Sequence, residues 1–555
     1  MKKTLTPWKR FVNLLKLEKK DIRQIFYYAI FAGIVALTLP LGIQAIINLI
    51  QGAQVSSSWI VLVVVVTLGV AFQGLLQLMQ MRILESIQQK IFTRASFEFA
   101  YRFPKIKMKE LYNTYPPELA NRFFDILMIQ KGLSKILLDF PAAALQIVFG
   151  LILLSFYHSF FILYGLLLVL LIYIVFRFTA EKGLETSLLE SKNKYKVAHW
   201  IQEISRSLSS FKLSGKTSLA MDRNDYLTSK YLDAREDHFK ILVVQFLQLV
   251  GFKVLVTAGL LSIGGLLVIN QQMNIGQFVA AEIIILLVIT SVEKLIHGLE
   301  SFYDVLTSLE KIGQVVDKEL EPQTGEDPFR TARDLHIELD KLTYRDPENY
   351  KVLSQISIDI NQSDRILLAG QSGSGKTTLL KILSGLLTST YGAFYVNDVS
   401  MVGICPNKYR ACVGQVLPSQ LPFEGTILEN ITFGRTDVSQ EYLHEVLKNT
   451  GLLPFIKRQP NGIGTVLDPE GSQIPFTVSK RILLARAIVH QPKLLLLKDP
   501  LEYFENDEAE RLIKYLTGKD RPWALVVSSQ NIHWWTYCNK TIEISNGQII
   551  NKSNI

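Results

Sequence analysis

The chain begins as a series of long apolar runs separated by polar intervals of two kinds. Six runs, at about 24–50, 58–79, 138–156, 160–176, 241–268 and 277–296, approach the ~20 residues a helix needs to cross a bilayer. The short intervals, Gln51–Ser57, Tyr157–Ser159 and Asn270–Gly276, contain no Lys, Arg, Asp or Glu. The long intervals, 80–137 and 178–240, are dense in both signs of charge. Positive-inside logic puts the N-terminus and the long intervals in the cytoplasm, the short ones outside, and both chain ends in the cytoplasm. Within 80–115 and 178–240 apolar residues keep helical spacing among the charges, as in Ile83, Ile87 and Ile91, or Ile201, Ile204 and Leu208. The spanning helices are therefore expected to continue into the cytosol and pack as a bundle.

Composition agrees with a membrane part. The 555 residues exceed one ordinary domain, and 48% are hydrophobic. The formal charge of +9 is concentrated: residues 1–23 carry eight Lys/Arg against Glu18 and Asp21, a net of +6 directly before the first run. That placement fits an anionic membrane surface, and nucleic acid is not expected as a partner. Trp8, Phe11, Leu14 and Leu15 stand at helical spacing among these cations, which predicts an interfacial helix on the inner leaflet. The first run is too long for a signal peptide, so its removal is not expected. With 23 residues before it, cleavage of a leader peptide by this chain is not expected either. Inside or at the ends of the spans stand Lys253, Glu282, Glu293 and Lys294. Such charges should face a cavity, a helix end or each other; Lys253 and Glu282 are candidates to pair or to line a polar path, with Glu293 and Lys294 at the cytosolic mouth. Gly264-Gly265 suits close helix packing. Cys405, Cys412 and Cys538 have neither an even count nor metal-ligand spacing, so reduced thiols are expected.

Beyond residue 313 the pattern changes. Residues 313–332 are polar, with Pro322, Gly325 and Pro328, and read as a linker. Strand patterns follow at 335–339, 356–360 and 365–369. The last runs into Gly370-Gln371-Ser372-Gly373-Ser374-Gly375-Lys376-Thr377-Thr378 and then a helical Leu379-Leu380-Lys381-Ile382-Leu383. This is a P-loop in its strand–loop–helix context. The glycines let backbone N–H groups turn toward phosphate, and the helix dipole adds to their pull. Lys376 is placed to meet the β- and γ-phosphates of ATP, and Thr377 to offer a hydroxyl to Mg²⁺.

With these residues in view the chain resembles an ABC half-transporter of the type I exporter class, of the peptide and protein exporter kind. Glu118 to Asp125 resembles the segment before the third span, and Asn274 to Ala281 the start of the sixth. Phe423 to Ile431 is similar to the stretch after the glutamine loop, and Ala485-Arg486-Ala487 to the helix after the signature. The Asn546-Gly547 hairpin also fits the end of such a domain. The resemblance implies a dimer in which each ATP site joins one chain's P-loop to the other's signature.

Other positions of that pattern depart from it. The signature, Leu-Ser-Gly-Gly-Gln in the family, aligns with Ile474-Pro475-Phe476-Thr477-Val478. Pro475 removes an N–H and Phe476 fills space a phosphate would need. After the Walker B strand Leu494 to Leu497, Lys498 stands at the magnesium-supporting aspartate and Asp499 at the catalytic glutamate. A cation there reverses the local electrostatics. The glutamine-loop position falls on Pro418, with Gln415 and Gln420 nearby, and the switch histidine on Gln530. The adenine-stacking aromatic aligns with Asp346, with Tyr344 and Tyr350 as substitutes. The loop after Walker B reads Glu502-Tyr503-Phe504-Glu505 in place of Ser-Ala-Leu-Asp.

The expected fold is therefore an α-helical six-span bundle with cytosolic helical extensions, followed by an α/β P-loop NTPase domain. Its expected parts are an interfacial helix at 1–23, a transmembrane domain at 24–312, a linker at 313–332 and a nucleotide-binding domain at 333–555. ATP is the expected ligand, bound by Gly370 to Thr378. Magnesium through Thr377 is set against by Lys498, and Asp499 is a degenerate catalytic residue. The expected partners are the bilayer, a second copy or another ABC half-transporter, and accessory secretion proteins. The expected place is a bacterial inner membrane. Two functions follow: export of a peptide, protein or hydrophobic compound with weak or lost hydrolysis, or a non-pumping, nucleotide-sensing or scaffolding subunit.

Overall fold

The structure, a computed structural model, describes residues 5–52, 57–330 and 334–554. Lys2, Lys3, loop residues 53–56 and the 331–332 end of the expected linker lie outside them. The chain divides into two compact units: 1–104 with 114–318, and 105–113 with 319–555.

In the first unit the helices are long because their apolar runs pass without a breaker into charged but helix-favouring sequence. Ser57–Arg102, Phe160–Arg206, Leu219–Gly259 and Ile275–Val316 have 46, 47, 41 and 42 residues. At 1.5 Å per residue each is about 60–70 Å long, twice the ~30 Å hydrocarbon thickness. The expected extensions beyond the spans are thus present. Five segments are long and apolar enough to cross a membrane: Lys19–Gln51, Ser57–Lys105, Pro116–Tyr157, Leu219–Ile269 and Ile275–Val316. The remaining expected run, the fourth at 160–176, opens the helix Phe160–Arg206; its apolar part Phe160–Leu170 is described, whereas the side chains of 171, 172 and 174–180 are not.

Local breaks have local causes. The first run is two helices, Lys19–Ala36 and Thr38–Gln51, because Pro40 has no N–H to give the Ala36 carbonyl. Gly264 is buried where a Cβ would lie 2.8 Å from the Phe278 ring, so it permits close packing; Gly265 faces open space and does not. Helix Ile275–Val316 begins with a reciprocal cap. The Gln277 N–H donates to the Asn274 side chain at 2.7 Å, and the Asn274 N–H donates to the Gln277 side chain at 2.9 Å. This helix is the core of the unit, burying Ile284, Ile285, Val288, Val292, Tyr303 and Val305. In contrast, Val61, Leu68, Leu75 and Leu78 of Ser57–Arg102 stay exposed, as a lipid-facing surface requires.

One expected pairing is replaced here. Lys253 pairs with Glu293, Nζ to Oε2 at 2.8 Å, and not with Glu282. The two glutamates lie three turns apart on one helix, about 16 Å, so a lysine level with one does not reach the other. The N-terminal helix, Pro7–Leu17, buries part of its apolar stripe within the unit. Phe11 is buried against Phe302, ring centroids 5.4 Å apart, and Arg10 turns inward to Asp317 at 3.0 Å and Glu310 at 3.4 Å. Trp8 and Leu17 remain exposed.

The second unit is an α/β domain. Its strands are β1 (His336–Arg345), β2 (Lys351–Asn361), β3 (Arg365–Ala369), β4 (Tyr391–Val396), β5 (Val399–Ser400) and β6 (Val413–Val416). Then come β7 (Gly425–Thr426), β8 (Val466–Leu467), β9 (Leu494–Lys498), β10 (Ala524–Ser528), β11 (Lys540–Ser545) and β12 (Gln548–Asn554). The main sheet runs β12-β11-β3-β10-β9-β6, parallel except for β12, and an antiparallel sheet runs β2-β1-β4-β5. Leu494 to Leu497 of β9 have no exposed surface, which is why that strand reads as an unbroken apolar run.

Residues 105–113, expected within the membrane domain, pack with this unit. The Lys107 N–H donates to the Glu319 carbonyl at 3.0 Å and the Glu321 N–H to the Lys105 carbonyl at 2.7 Å. The ammoniums of Lys107 and Lys109 hold the Glu319 carboxyl down at about 2. Of the expected linker, 313–316 is the end of helix Ile275–Val316 and 313–318 belongs to the first unit, whereas Glu321 is gripped by Arg410 through two bonds of 2.6 and 2.8 Å.

Candidate nucleotide-binding site

The site grows from the C-terminal ends of the parallel strands, where open α/β sheets place their ligands. Strand β3 ends at Ala369, and the helix Lys376–Leu383 begins after six loop residues, 370–375. Gly370 has φ +131°, and a Cβ there would lie 2.1 Å from the Ile544 carbonyl; Gly375 has φ +102°, with Leu353 2.6 Å from its Cβ position. Only glycine fits either position. Gln371, Ser372 and Gly373 are exposed and Ser374 is buried, while Lys376, Thr377 and Thr378 are half-buried at the head of the helix. All nine predicted P-loop residues thus fall on one loop and helix start. The Lys376 ammonium donates to the carbonyls of Gly370 at 2.7 Å and Gln371 at 2.6 Å and to the Ser374 hydroxyl at 3.1 Å.

The Walker B strand β9 lies next to β10, which pairs with β3. Its last residue, Lys498, is in register with Ser528. Lys498 Nζ is 2.5 Å from the carboxylate of Asp499, which sits at φ +43° with its N–H on the Ser528 carbonyl at 2.9 Å. The carboxylate that aligns with the catalytic base is therefore engaged by its own neighbour. The Lys376 ammonium is easier to discharge than an ordinary lysine, first through burial and then through the charge of Lys498, with Asp499 opposing. This donor set is a poor one for magnesium. Thr377 supplies one hydroxyl, but Lys498 supplies no oxygen and adds a positive charge where the ion would need a carboxylate.

The remaining predicted departures also have places. Pro418 is exposed just past β6; Gln420 is spent on its own turn, accepting from the Leu417 N–H at 3.0 Å. Gln415, within β6, has a buried Oε1 with no hydrogen bond among the described residues. Gln530 is exposed after β10, and the first histidine beyond it, His533, starts the helix His533–Tyr537. Asp346 closes the β1–β2 turn by accepting from the Tyr350 N–H at 2.7 Å, which leaves the Tyr350 ring 71% exposed. Tyr344 is half-buried within β1.

Sequence reading treated the signature and the loop after Walker B as separate departures. They share one contact. Pro475 caps the helix Phe476–Ile488, and the half-exposed Phe476 ring lies edge-on to Tyr503 at 5.5 Å, with Lys480 Nζ 5.1 Å over it. Downstream, Arg486 is structural. It donates to the Asn430 carbonyl at 2.6 Å and side chain at 2.9 Å, and burial lowers its guanidinium to about 10.

Comparison with known proteins agrees with this architecture. A family model described as ABC transporter matches residues 353–502. An export ATP-binding/permease protein of Rickettsia bellii is 26% identical over 70% of this chain and 68% of its own length. The alpha-hemolysin translocation ATP-binding protein HlyB of Escherichia coli O157:H7 is 26% identical over 55% of this chain and 43% of its own. The leukotoxin export ATP-binding protein LtxB of Aggregatibacter actinomycetemcomitans is 28% identical over 46% and 36%. The chain thus spans less than half of the length of the last two. A solved bacterial Atm1-family ABC exporter with ATP bound aligns with a TM-score of 0.84 over 97% of this chain and 95% of that one, at 14% identity. At that identity the likeness is one of fold.

Proposed function

We propose that this chain, an ABC exporter half-transporter by its build, binds ATP at Gly370 to Thr378 and exports its cargo as a dimer while hydrolysing little or no ATP by its own groups. One observation carries the reading: the 2.5 Å pair of Lys498 with Asp499. Lysine stands where the metal-supporting carboxylate belongs, so Asp499, paired here and one methylene shorter than glutamate, has no metal-held phosphate to act on whether or not Lys498 stays with it. In a homodimer both ATP sites would lack these groups and an open signature. In a heterodimer an intact partner would contribute its own signature to one site and its own P-loop and base to the other. A competent second half-transporter is therefore the favoured partner. The relatives named for hemolysin and leukotoxin favour a protein or peptide cargo.

In this reading residues 1–23 lie at the inner leaflet, 24–312 form the six-span domain, 313–332 link it to the nucleotide-binding domain 333–555, and both termini face the cytoplasm across a bacterial inner membrane. The test is purification from native membranes with whatever half-transporter accompanies the chain, followed by ATPase and vesicle-uptake assays. Substrate-stimulated turnover or uptake in the pair supports the reading. Lack of both in the pair would leave the second reading, a nucleotide-sensing subunit that does not pump. The Phe476–Tyr503 contact favours that alternative, because it puts two rings where the resemblance implies small residues that approach a phosphate.

A further inference from the structure

Nucleotide polyphosphate needs positive charge close to its β- and γ-oxygens, and P-loop proteins supply part of it with magnesium. Here the residue at the metal-supporting position is itself a cation. Lys498 ends β9, one strand away from β3 and its P-loop, and its side chain is 19% exposed. The helix Lys376–Leu383, which starts at the P-loop lysine, packs against β9, so Lys498 stands at the P-loop end of the same strand layer. Its counter-ion, Asp499, is the adjacent residue, with a third of its side chain open to solvent. A local, partly solvated pair of this kind is weak and can be exchanged for a better anion. The Ser528 hydroxyl, in register with Lys498, is fully buried and makes no hydrogen bond among the described residues.

We propose that Lys498 takes the place of the divalent ion: when a metal-free nucleoside triphosphate docks on the P-loop, the Lys498 ammonium leaves Asp499 and meets the β- or γ-phosphate beside Lys376. The ligand class is the metal-free nucleoside triphosphate, not its magnesium complex. No bond is made or broken; one ion pair is exchanged for another. A lysine has the reach and the point charge for this but no directional fork, so it suits a phosphate whose exact pose need not favour chemistry. The proposal rests on the reading that the P-loop retains its nucleotide, and its experiment separates the two.

The full chain, in lipid nanodiscs, is titrated with a ribose-labelled fluorescent ATP in excess EDTA and again in excess magnesium chloride. The expected result is binding in EDTA at least as tight as in magnesium. Lys498→Asp is expected to lose about tenfold in EDTA, the worth of one charge-assisted contact, and to recover in magnesium. Lys498→Arg, which keeps the charge, is expected to retain metal-free binding and guards against a folding defect, as does an unchanged thermal unfolding midpoint. Wild-type binding that requires magnesium would overturn the proposal, as would metal-free binding unchanged in Lys498→Asp. Absence of binding in both buffers would overturn the retained-nucleotide reading itself, and this proposal with it.

Discussion

The ammonium of Lys498 and the carboxylate of Asp499, consecutive in the chain, face each other at 2.5 Å at the end of β9. A side-by-side pair across one peptide is unusual in a strand, where neighbours point to opposite faces. It forms here because Asp499 has left the strand for a left-handed conformation, φ +43°. In the proposed reading, the residues at the metal-supporting and base positions thus neutralise each other.

Restoring catalysis should accordingly need both faces of the site. Replacing residues 474–478 by Leu-Ser-Gly-Gly-Gln alone is expected to leave phosphate release at background. Lys498→Asp with Asp499→Glu alone is expected to do the same. All changes together are expected to raise release at least about tenfold, since each lost catalytic group is worth orders of magnitude. Release by either half-set alone would contradict the account.

The alkaline limb of nucleotide binding should report Lys376. Binding needs its charged form, and burial with Lys498 lowers its titration. Affinity is therefore expected to hold through neutral pH and to fall, as pH rises, below the ~10.4 of a free lysine. Lys498→Gln removes one of the two depressing causes, so the fall should move to higher pH. Fluorescent-nucleotide titrations across alkaline pH check the direction; a downward shift would contradict it.

The Lys253–Glu293 pair lies between two helices of the membrane unit. Glu293→Gln leaves an unpaired ammonium and is expected to lower the thermal stability of the protein in lipid by roughly 1–2 kcal/mol; the side chains are about a third exposed, which limits the loss. Lys253→Met with Glu293→Met is expected to recover most of it. An additive double variant, measured by thermal unfolding, would show that the pair is not an interaction.

Much of this was legible in the sequence because the signals were periodic or contiguous. The long helices follow from apolar runs that meet no breaker, and the P-loop from nine consecutive residues. What escaped was set by three-dimensional neighbours. Residues 105–113 join the second unit through backbone bonds to Glu319 and Glu321, which carry no sequence signature. The partner of Lys253 depends on which turn of Ile275–Val316 stands level with it. Phe476 and Tyr503 are 27 positions apart in the chain, so their contact was invisible. The role of Asp346 in closing the turn before β2 was equally unreadable, since it depends on the bond from the Tyr350 N–H.

The most direct test asks whether this polypeptide, alone in lipid with magnesium, releases phosphate from ATP. The expected trace is flat, indistinguishable from Lys376→Ala, in a preparation that nonetheless retains bound nucleotide when wild type and loses it in that variant. Fast, magnesium-dependent release that vanishes in Asp499→Asn would contradict the account at its root.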